Sequence, residues 1–186
     1  MKVGIISDTH GCLETWQKVF NSYFHDADLI IHAGDVLYHG PRNAIPDEYN
    51  PKKLAEVLNS CPVPIVTACG NCDSAVDGMV LKLPIQSPYT YLMLHGLRVA
   101  VTHGHNLTTE EARQELALRL KADIFITGHT HIADMTKNNG VIYLNPGSPG
   151  MTKRPDGRST IAWIKDNKVE IIDITTGQPL ASEVLA

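Results

Sequence analysis

The sequence has no surplus of positive charge, no long apolar run, few cysteines, and no internal repeat or low-complexity stretch. With 16 Lys and Arg against 20 Asp and Glu the formal net charge is −4, and the sequence pI is about 6.1. No basic run or basic amphipathic helix offsets that balance, which argues against a general nucleic-acid coat or a binder of acidic membranes. Any affinity for phosphate must then be local. Nothing approaches the roughly 20 apolar residues that cross a bilayer, and the chain enters a short strand, Val3 to Ile6, with no apolar leader before it. A cytoplasmic protein is expected. Four cysteines, Cys12, Cys61, Cys69 and Cys72, make a poor disulfide framework for 186 residues. Cys69 and Cys72 form a C-x-x-C, but no second pair completes a zinc site.

What is present is an ordinary globular composition, 43% hydrophobic and 19% charged, enough for one covered core and most simply one domain over residues 1–186. Within it one local pattern recurs: a short apolar strand, then polar residues next to a glycine. Asp28-Leu29-Ile30-Ile31-His32-Ala33-Gly34-Asp35 is the clearest case, with Asp35 freed by Gly34 to point out of the sheet. Taken alone, Asp35 is as well explained by a turn or a helix N-cap. Val3-Gly4-Ile5-Ile6-Ser7 runs likewise into Asp8-Thr9-His10-Gly11, a hard oxygen and an imidazole two residues apart. Pro62 to Ala68 ends in Cys69-Gly70-Asn71-Cys72-Asp73, where Asn71 offers a carbonyl oxygen and Asp73 can orient a neighbour. Leu97 to Thr102 ends in His103-Gly104-His105, and Asp123 to Thr127 in Gly128-His129-Thr130-His131. Alternate residues of extended backbone share a side, so His129 and His131 are expected to face one cavity.

Between these strands, Trp16, Val19, Phe20, Tyr23 and Phe24 recur at helical spacing as a core-facing stripe. Asn50 is expected to cap a helix with Pro51 in its first turn and Leu54, Val57 and Leu58 on its buried face. Thr108-Thr109-Glu110-Glu111 reads as a capping box opening a helix that reaches about Lys121. The polar loop Val36 to Pro46 suits ligand binding, with His39 and Arg42 as its candidates. Arg42 can fork onto a phosphate or simply be solvated. From Val80 onward, short alternating runs predict a second antiparallel or mixed sheet, including a hairpin about His95-Gly96. Ala133 to Thr136, Val141 to Leu144, Ser159 to Lys165 and Lys168 to Ile174 read as hairpins that complete a sheet and not a site.

Five strand ends thus deliver Asp8, His10, Asp35, Asn71, His103, His129 and His131. The set is too large for one ion. Two divalent cations of the Mn, Fe or Zn kind, about 3.5 to 4 Å apart, would be satisfied if one carboxylate bridged them, and Asp35 is the natural bridge.

These residues resemble the calcineurin-like metallophosphoesterases. Asp8-x-His10, Gly34-Asp35-(x4)-Gly40, Gly70-Asn71, His103 and Gly128-His129-x-His131 match the five motifs of that family in order. The loops at 34–43 and 70–74 look more closely like those of the small bacterial YfcE-type phosphodiesterases. The resemblance implies an α/β (α+β) fold, a four-layer αββα sandwich of two mixed sheets packed face to face. It also implies Asp8, His10 and His131 on one metal, Asn71, His103 and His129 on the other, and Asp35 bridging. Asp35, Asn71, Cys72 and His39 are then the catalytic candidates, with Arg42, Asn71 and His39 meeting the substrate. The implied activity is hydrolysis of a small phosphate diester by a metal-bridging hydroxide. Manganese is the first expectation for the metals, with zinc, iron, nickel or cobalt as alternatives, and members of the family often form homo-oligomers. Two other readings share the fold: a non-catalytic interaction scaffold like the retromer subunit that resembles this family, and a phosphomonoesterase or protein phosphatase. The scaffold reading predicts damaged ligand positions, and all seven are intact.

One departure concerns the leaving group. Family phosphatases commonly place a histidine after the motif asparagine as general acid, supported by an aspartate in the loop after the bridging one. Here those positions carry Cys72 and Tyr38. A thiol of ordinary pKa is a poor donor to an alkoxide, which removes a factor on the order of 10² to 10⁴ for poor leaving groups. Activated aryl diesters are therefore expected to turn over better than alkyl monoesters. His39 or His105 can substitute as the acid, and His105 is equally explained as support for His103.

Overall fold

The computed structural model describes residues 1–185. In chain order the first half comprises β1 (Val3–Ile6), α1 (Leu13–Val19), β2 (Leu29–His32), α2 (Pro51–Asn59), β3 (Ile65–Ala68), α3 (Asp77–Val80), β4 (Ile85–Gln86), β5 (Thr90–Leu94) and β6 (Leu97–Val101). The second half comprises α4 (Glu110–Arg119), β7 (Ile124–Ile126), β8 (Asp134–Asn138), β9 (Val141–Asn145), β10 (Thr160–Lys165), β11 (Lys168–Asp173) and β12 (Pro179–Val184). They form a seven-stranded sheet in the order β12-β11-β10-β1-β2-β3-β4 and a five-stranded sheet in the order β5-β6-β7-β9-β8.

Side-chain alternation along β1 and β2 sets the layers. Val3, Ile5 and Ile31 face inward, where they meet Val99, Val101, Ile124 and Ile126 of the second sheet in one core. Ile6 and Ile30 face the other way, onto Trp16 and Val19 of α1, Phe24 at the end of the helical turn Phe20–Phe24 that continues it, and Leu54 and Leu58 of α2. On the far side of the second sheet, Phe125 and Tyr143 are covered by Ala117 of α4. The result is the expected αββα sandwich. Gly4 has a packing reason: a Cβ there would stand 2.6 Å from the ring of Phe24, which is itself fully buried.

Both sheets are mixed, and their parallel strands position the site. β1, β2 and β3 run parallel in one sheet, and β6, β7 and β9 run parallel in the other. The segments that follow five of these strands carry the seven candidate ligands, so all of them emerge along the same end of the sandwich.

Several local expectations change. β4 is a two-residue strand parallel to β3 in the first sheet, so the second sheet begins only at β5. Ala55, not Val57, joins Leu54 and Leu58 as fully buried on α2. The expected capping box is a single cap: Thr109 accepts from the Ala112 amide, which leaves Glu111 one residue short of the reciprocal position. That helix ends at Arg119, and Lys121 follows in the left-handed region (φ 51°). α3 and the edge strand β12 carry weak local signals, a four-residue turn and a half-exposed run opening on Pro179.

Candidate metal centre

Asp8, Asp35, His10, His103 and His131 are all at least 98% buried, and their side chains converge. Each carboxylate has one tethered oxygen and one that faces imidazoles. Asp8 Oδ2 accepts from Ser7 Oγ (2.6 Å) and the His129 amide (3.0 Å), while its Oδ1 stands 3.3 Å from His131 Nε2, 3.7 Å from His10 Nε2 and 3.8 Å from His103 Nε2. Asp35 Oδ1 accepts from the Cys72 amide (2.8 Å), and its Oδ2 stands 3.2 Å from His103 Nε2 and 3.6 Å from His10 Nε2.

The imidazoles are turned by their other nitrogen. His10 Nδ1 donates to the Tyr38 carbonyl (2.6 Å), His103 Nδ1 to the Ala33 carbonyl (2.8 Å) and His131 Nδ1 to the Met151 carbonyl (2.5 Å). A carbonyl can only accept, so each Nδ1 carries a proton and each ring turns its Nε2 toward the centre. His10 Nε2 and His131 Nε2 then lie 3.1 Å apart. At that separation a proton or a metal cation must lie between the two nitrogens.

Three groups gather ligand atoms within 4.8 Å of one another: Asp8, His10 and His131; Asp8, Asp35 and His103; and His10, Asp35 and Cys72. The fit to metal is carried by buried atoms without hydrogen-bond partners. Asp8 Oδ1 and His103 Nε2 are both buried and both lack one, a condition that is costly unless a cation completes it. The electrostatics agree. Burial opposes charge on His103, yet Asp35 and Asp8 overrule it and lift its pKa to about 9. Burial likewise opposes ionisation of Asp35, yet His103 and the Cys72 amide hold its carboxyl well below the usual range. The centre stabilises positive charge between two carboxylates.

Asn71 and His129 complete the set on its solvent side, both exposed, with the His129 ring 5.2 Å from that of His103. Both line a cleft of about 650 Å³ with His10, Asp35, Cys72 and Arg42. His39 is not among its walls: its ring packs edge-on against Tyr49 and Tyr38, at 5.0 and 4.6 Å. His105 lies behind His103, ring to ring at 5.6 Å, on the wall of a separate recess that also holds Cys69. The two cysteines of the C-x-x-C therefore face different spaces, and all four cysteines are free.

His129 and His131 do reach one side of the site, but not by extended alternation. Their φ values are 70° and 58°, left-handed, as are those of Asp8 (54°), His10 (45°) and Asp35 (58°). The segments after the strands turn sharply here, and adjacent loops hold one another. Asp8 and His10 amides donate to the Gly34 and Asp35 carbonyls, and the Gly128 amide donates to the His103 carbonyl. Asp73 locks the β2 and β3 ends together by accepting from the amides of Asp35, Val36 and Gly70. Gly70 is required at this junction, since a Cβ there would fall 2.1 Å from Asp35 Oδ1.

Supporting residues that local sequence reading missed come from further along the chain. Ser148 Oγ donates to the Asp8 carbonyl, and Asn145, closing β9, donates to the Gly128 carbonyl. The segment after β9, which lies between the runs read as hairpins, is thus part of the site. His32 is also buried, taking the Gly34 amide on Nδ1 and facing Thr9 Oγ1 with Nε2 at 2.9 Å. Thr9 Oγ1 spends its own proton on the Val36 carbonyl, so Nε2 of His32 is the donor and the ring is neutral. The available signal was a polar residue inside an apolar strand.

A family model described as a calcineurin-like phosphoesterase superfamily domain matches residues 1–167. The chain belongs to that superfamily. It is 34% identical over 185 residues to phosphodiesterase YfcE of Escherichia coli strain K12, covering 99% of this chain and 97% of that protein. A probable metallophosphoesterase of Methanothermobacter thermautotrophicus is 31% identical over 186 residues, covering 97% and 95%. The solved structure of YfcE, described as a phosphoesterase from E. coli, superposes with a TM-score of 0.88 at 30% identity and full coverage of both chains. Vacuolar protein sorting 29 from Cryptosporidium parvum matches with a TM-score of 0.72 at 19% identity, covering 100% of this chain and 97% of that one, a likeness of fold alone. Membership in the superfamily makes this phosphoesterase an enzyme of the phosphoric ester hydrolase class.

Burial pushes His32 down to about 4 from an ordinary value of 6.5, so the folded state binds fewer protons there than the unfolded chain. Stability from this group is complete above 6.5 and is lost as pH falls toward 4. Urea midpoints of the wild type and His32→Gln should therefore diverge on acidification, the wild type losing on the order of 2 to 3 kcal/mol more between pH 7 and 4. A difference that does not change with pH would contradict a buried neutral His32.

Proposed function

We propose that residues 1–186 act as one domain that hydrolyses small phosphodiesters at a two-metal centre. Asp8, His10 and His131 would hold one cation, Asn71, His103 and His129 the second, and Asp35 would stand between them. When bound, two divalent cations supply a water acidic enough to act as nucleophile near neutral pH and offset the charge building on the phosphoryl oxygens. Manganese is the metal we propose, in a cytoplasmic enzyme. Among the described residues, no helix is long and apolar enough to cross a membrane.

The observation that carries the reading is the buried, convergent donor set. Three Nε2 atoms and the free oxygens of two carboxylates point at common space, each fixed by a hydrogen bond on its other side. A scaffold has no use for buried, unpartnered ligands held on strained backbone, so catalysis is the better account. The name of YfcE, a phosphodiesterase, supports the ester class.

The rest of the chemistry belongs to the cleft walls. Arg42 and Asn71 line it and would meet phosphoryl oxygens. Lys153 lines it too and adds positive charge where an anionic ester enters. Cys72 sits at the position of the missing acid, and burial, reinforced by the Asp35 charge, pushes its thiol up to about 12. It holds its proton too tightly to donate well. Tyr38 anchors His10 through its backbone carbonyl, so its exposed ring contributes only a wall. Leaving groups that depart without protonation should therefore be preferred, and among phosphate esters these are aryl alcohols.

Metal-stripped protein supplied with manganese should hydrolyse bis(p-nitrophenyl) phosphate, and Asp35→Asn should abolish that activity. Asparagine preserves the acceptor for the Cys72 amide and tolerates left-handed backbone, so the variant should melt as a folded protein. Unchanged turnover in the variant would overturn the bridging role. Separately, Cys72→His should raise the ratio of kcat/KM for alkyl over aryl esters by roughly tenfold or more. An unaltered ratio would show that proton supply is not what limits poor leaving groups.

A further inference from the structure

The backbone that carries Asp35 is buried from Gly34 to Val36, and each of its N–H and C=O groups has a partner. The loop after β1 takes the carbonyls: the amides of Asp8, His10 and Gly11 donate to Gly34, Asp35 and Val36, each at 3.0 Å. Asp73 takes two of the amides, those of Asp35 and Val36, at 2.9 and 2.8 Å. The Gly34 amide is left to His32, whose Nδ1 accepts it at 3.1 Å.

His32 does more than close that account. Its Nε2 donates to Thr9 Oγ1 at 2.9 Å, and Thr9 donates onward to the Val36 carbonyl, also at 2.9 Å. The chain of hydrogen bonds thus starts at the amide before Asp35 and ends at the carbonyl after it. Both side chains are 1% exposed, and neither lines the cleft. Thr9 stands between Asp8 and His10, so the same chain of bonds ties the β1 loop to both sides of Asp35. All three of these ligands have left-handed backbone, with φ of 54°, 45° and 58°. Such backbone persists only where its surroundings over-determine it.

We propose that Thr9 and His32 are positioning residues for Asp35, acting as one unit that holds its carboxylate where it can serve two cations. The inference rests on the two-metal reading above. An imidazole suits the place because it accepts on one nitrogen and donates on the other across a rigid ring. A threonine suits the other because its hydroxyl passes that donation on to a carbonyl. Removing either leaves a buried donor without its partner beside the bridging ligand: the Gly34 amide in one case, the His32 ring N–H in the other. Groups that orient a metal ligand in this way are typically worth about tenfold to a hundredfold in metal affinity.

The test is calorimetric titration of manganese into metal-stripped protein, with a urea midpoint measured for every variant. Thr9→Val, which keeps the shape and removes the hydroxyl, and His32→Leu should each weaken the second equivalent by about tenfold or more. Thr9→Ser, which restores the hydroxyl, should bind within about threefold of the wild type, and the double variant within about threefold of the weaker single one. Val169→Ala serves as the control for stability alone. That side chain is fully buried on β11, whose partner Ile164 pairs with Val3 at the far end of β1 from the site. The control should lower the urea midpoint and leave both manganese affinities unchanged. Wild-type affinities in Thr9→Val, an equal loss in Thr9→Ser or in Val169→Ala, or losses that multiply in the double variant would each overturn the positioning unit while leaving the metal centre standing. If the wild type takes up fewer than two equivalents, the two-metal reading fails, and the positioning role fails with it.

Discussion

The site depends on backbone held where side chains resist it. Five of the seven candidate ligands, Asp8, His10, Asp35, His129 and His131, occupy left-handed φ values. An L-residue there costs roughly 1 to 2 kcal/mol, and such strain persists only where the surroundings over-determine it. Here they do. Interlocked amide and carbonyl pairs run between neighbouring strand ends, and Asp73 clamps three more amides. The turn at each strand end directs a ligand into the site instead of along the strand, which is how short parallel strands from two sheets can crowd one small volume. Gly34, Gly70 and Gly128 are glycines for the same reason: a Cβ at any of them would strike a ligand or its support.

The electrostatic design follows from that crowding. Each carboxylate spends one oxygen on local donors and presents the other inward, while carbonyl acceptors fix the proton on the outer nitrogen of three imidazoles. The pocket prefers positive charge strongly enough to raise His103 to about 9 against its burial. That local preference reconciles an anionic ester with a chain of net charge −4. Burial, reinforced by the charge of Asp35, raises the Cys72 thiol beside the centre.

Much of this was legible in the sequence because its signals are local. A strand that ends in a glycine beside a polar residue is visible in eight residues, as at Asp28 to Asp35, and repetition of that pattern picked out the seven candidate ligands that the fold brings to one end of the sandwich. What was not legible depends on partners far along the chain. Alternation along an extended strand put His129 and His131 on one side, but the left-handed turns that place them are set by loops that contact each other only after both sheets form. Ser148 and the Met151 carbonyl act on Asp8 and His131 from the segment after β9, and nothing within that segment announces it. His39 shows the converse: a histidine in the right loop packs on Tyr49 and turns away from the cleft. The edge strand β12 escaped notice because it opens on proline and is half exposed, so it lacks a buried face to give it a pattern.

The central claim is that these strained ligands serve two cations divided by Asp35. Its most direct measurement is the manganese stoichiometry of metal-stripped protein, read by calorimetric titration and elemental analysis after desalting. The account predicts two equivalents for the wild type and one for His131→Ala, with the folded state retained. A single equivalent in the wild type, or two equivalents undisturbed in His131→Ala, would contradict it.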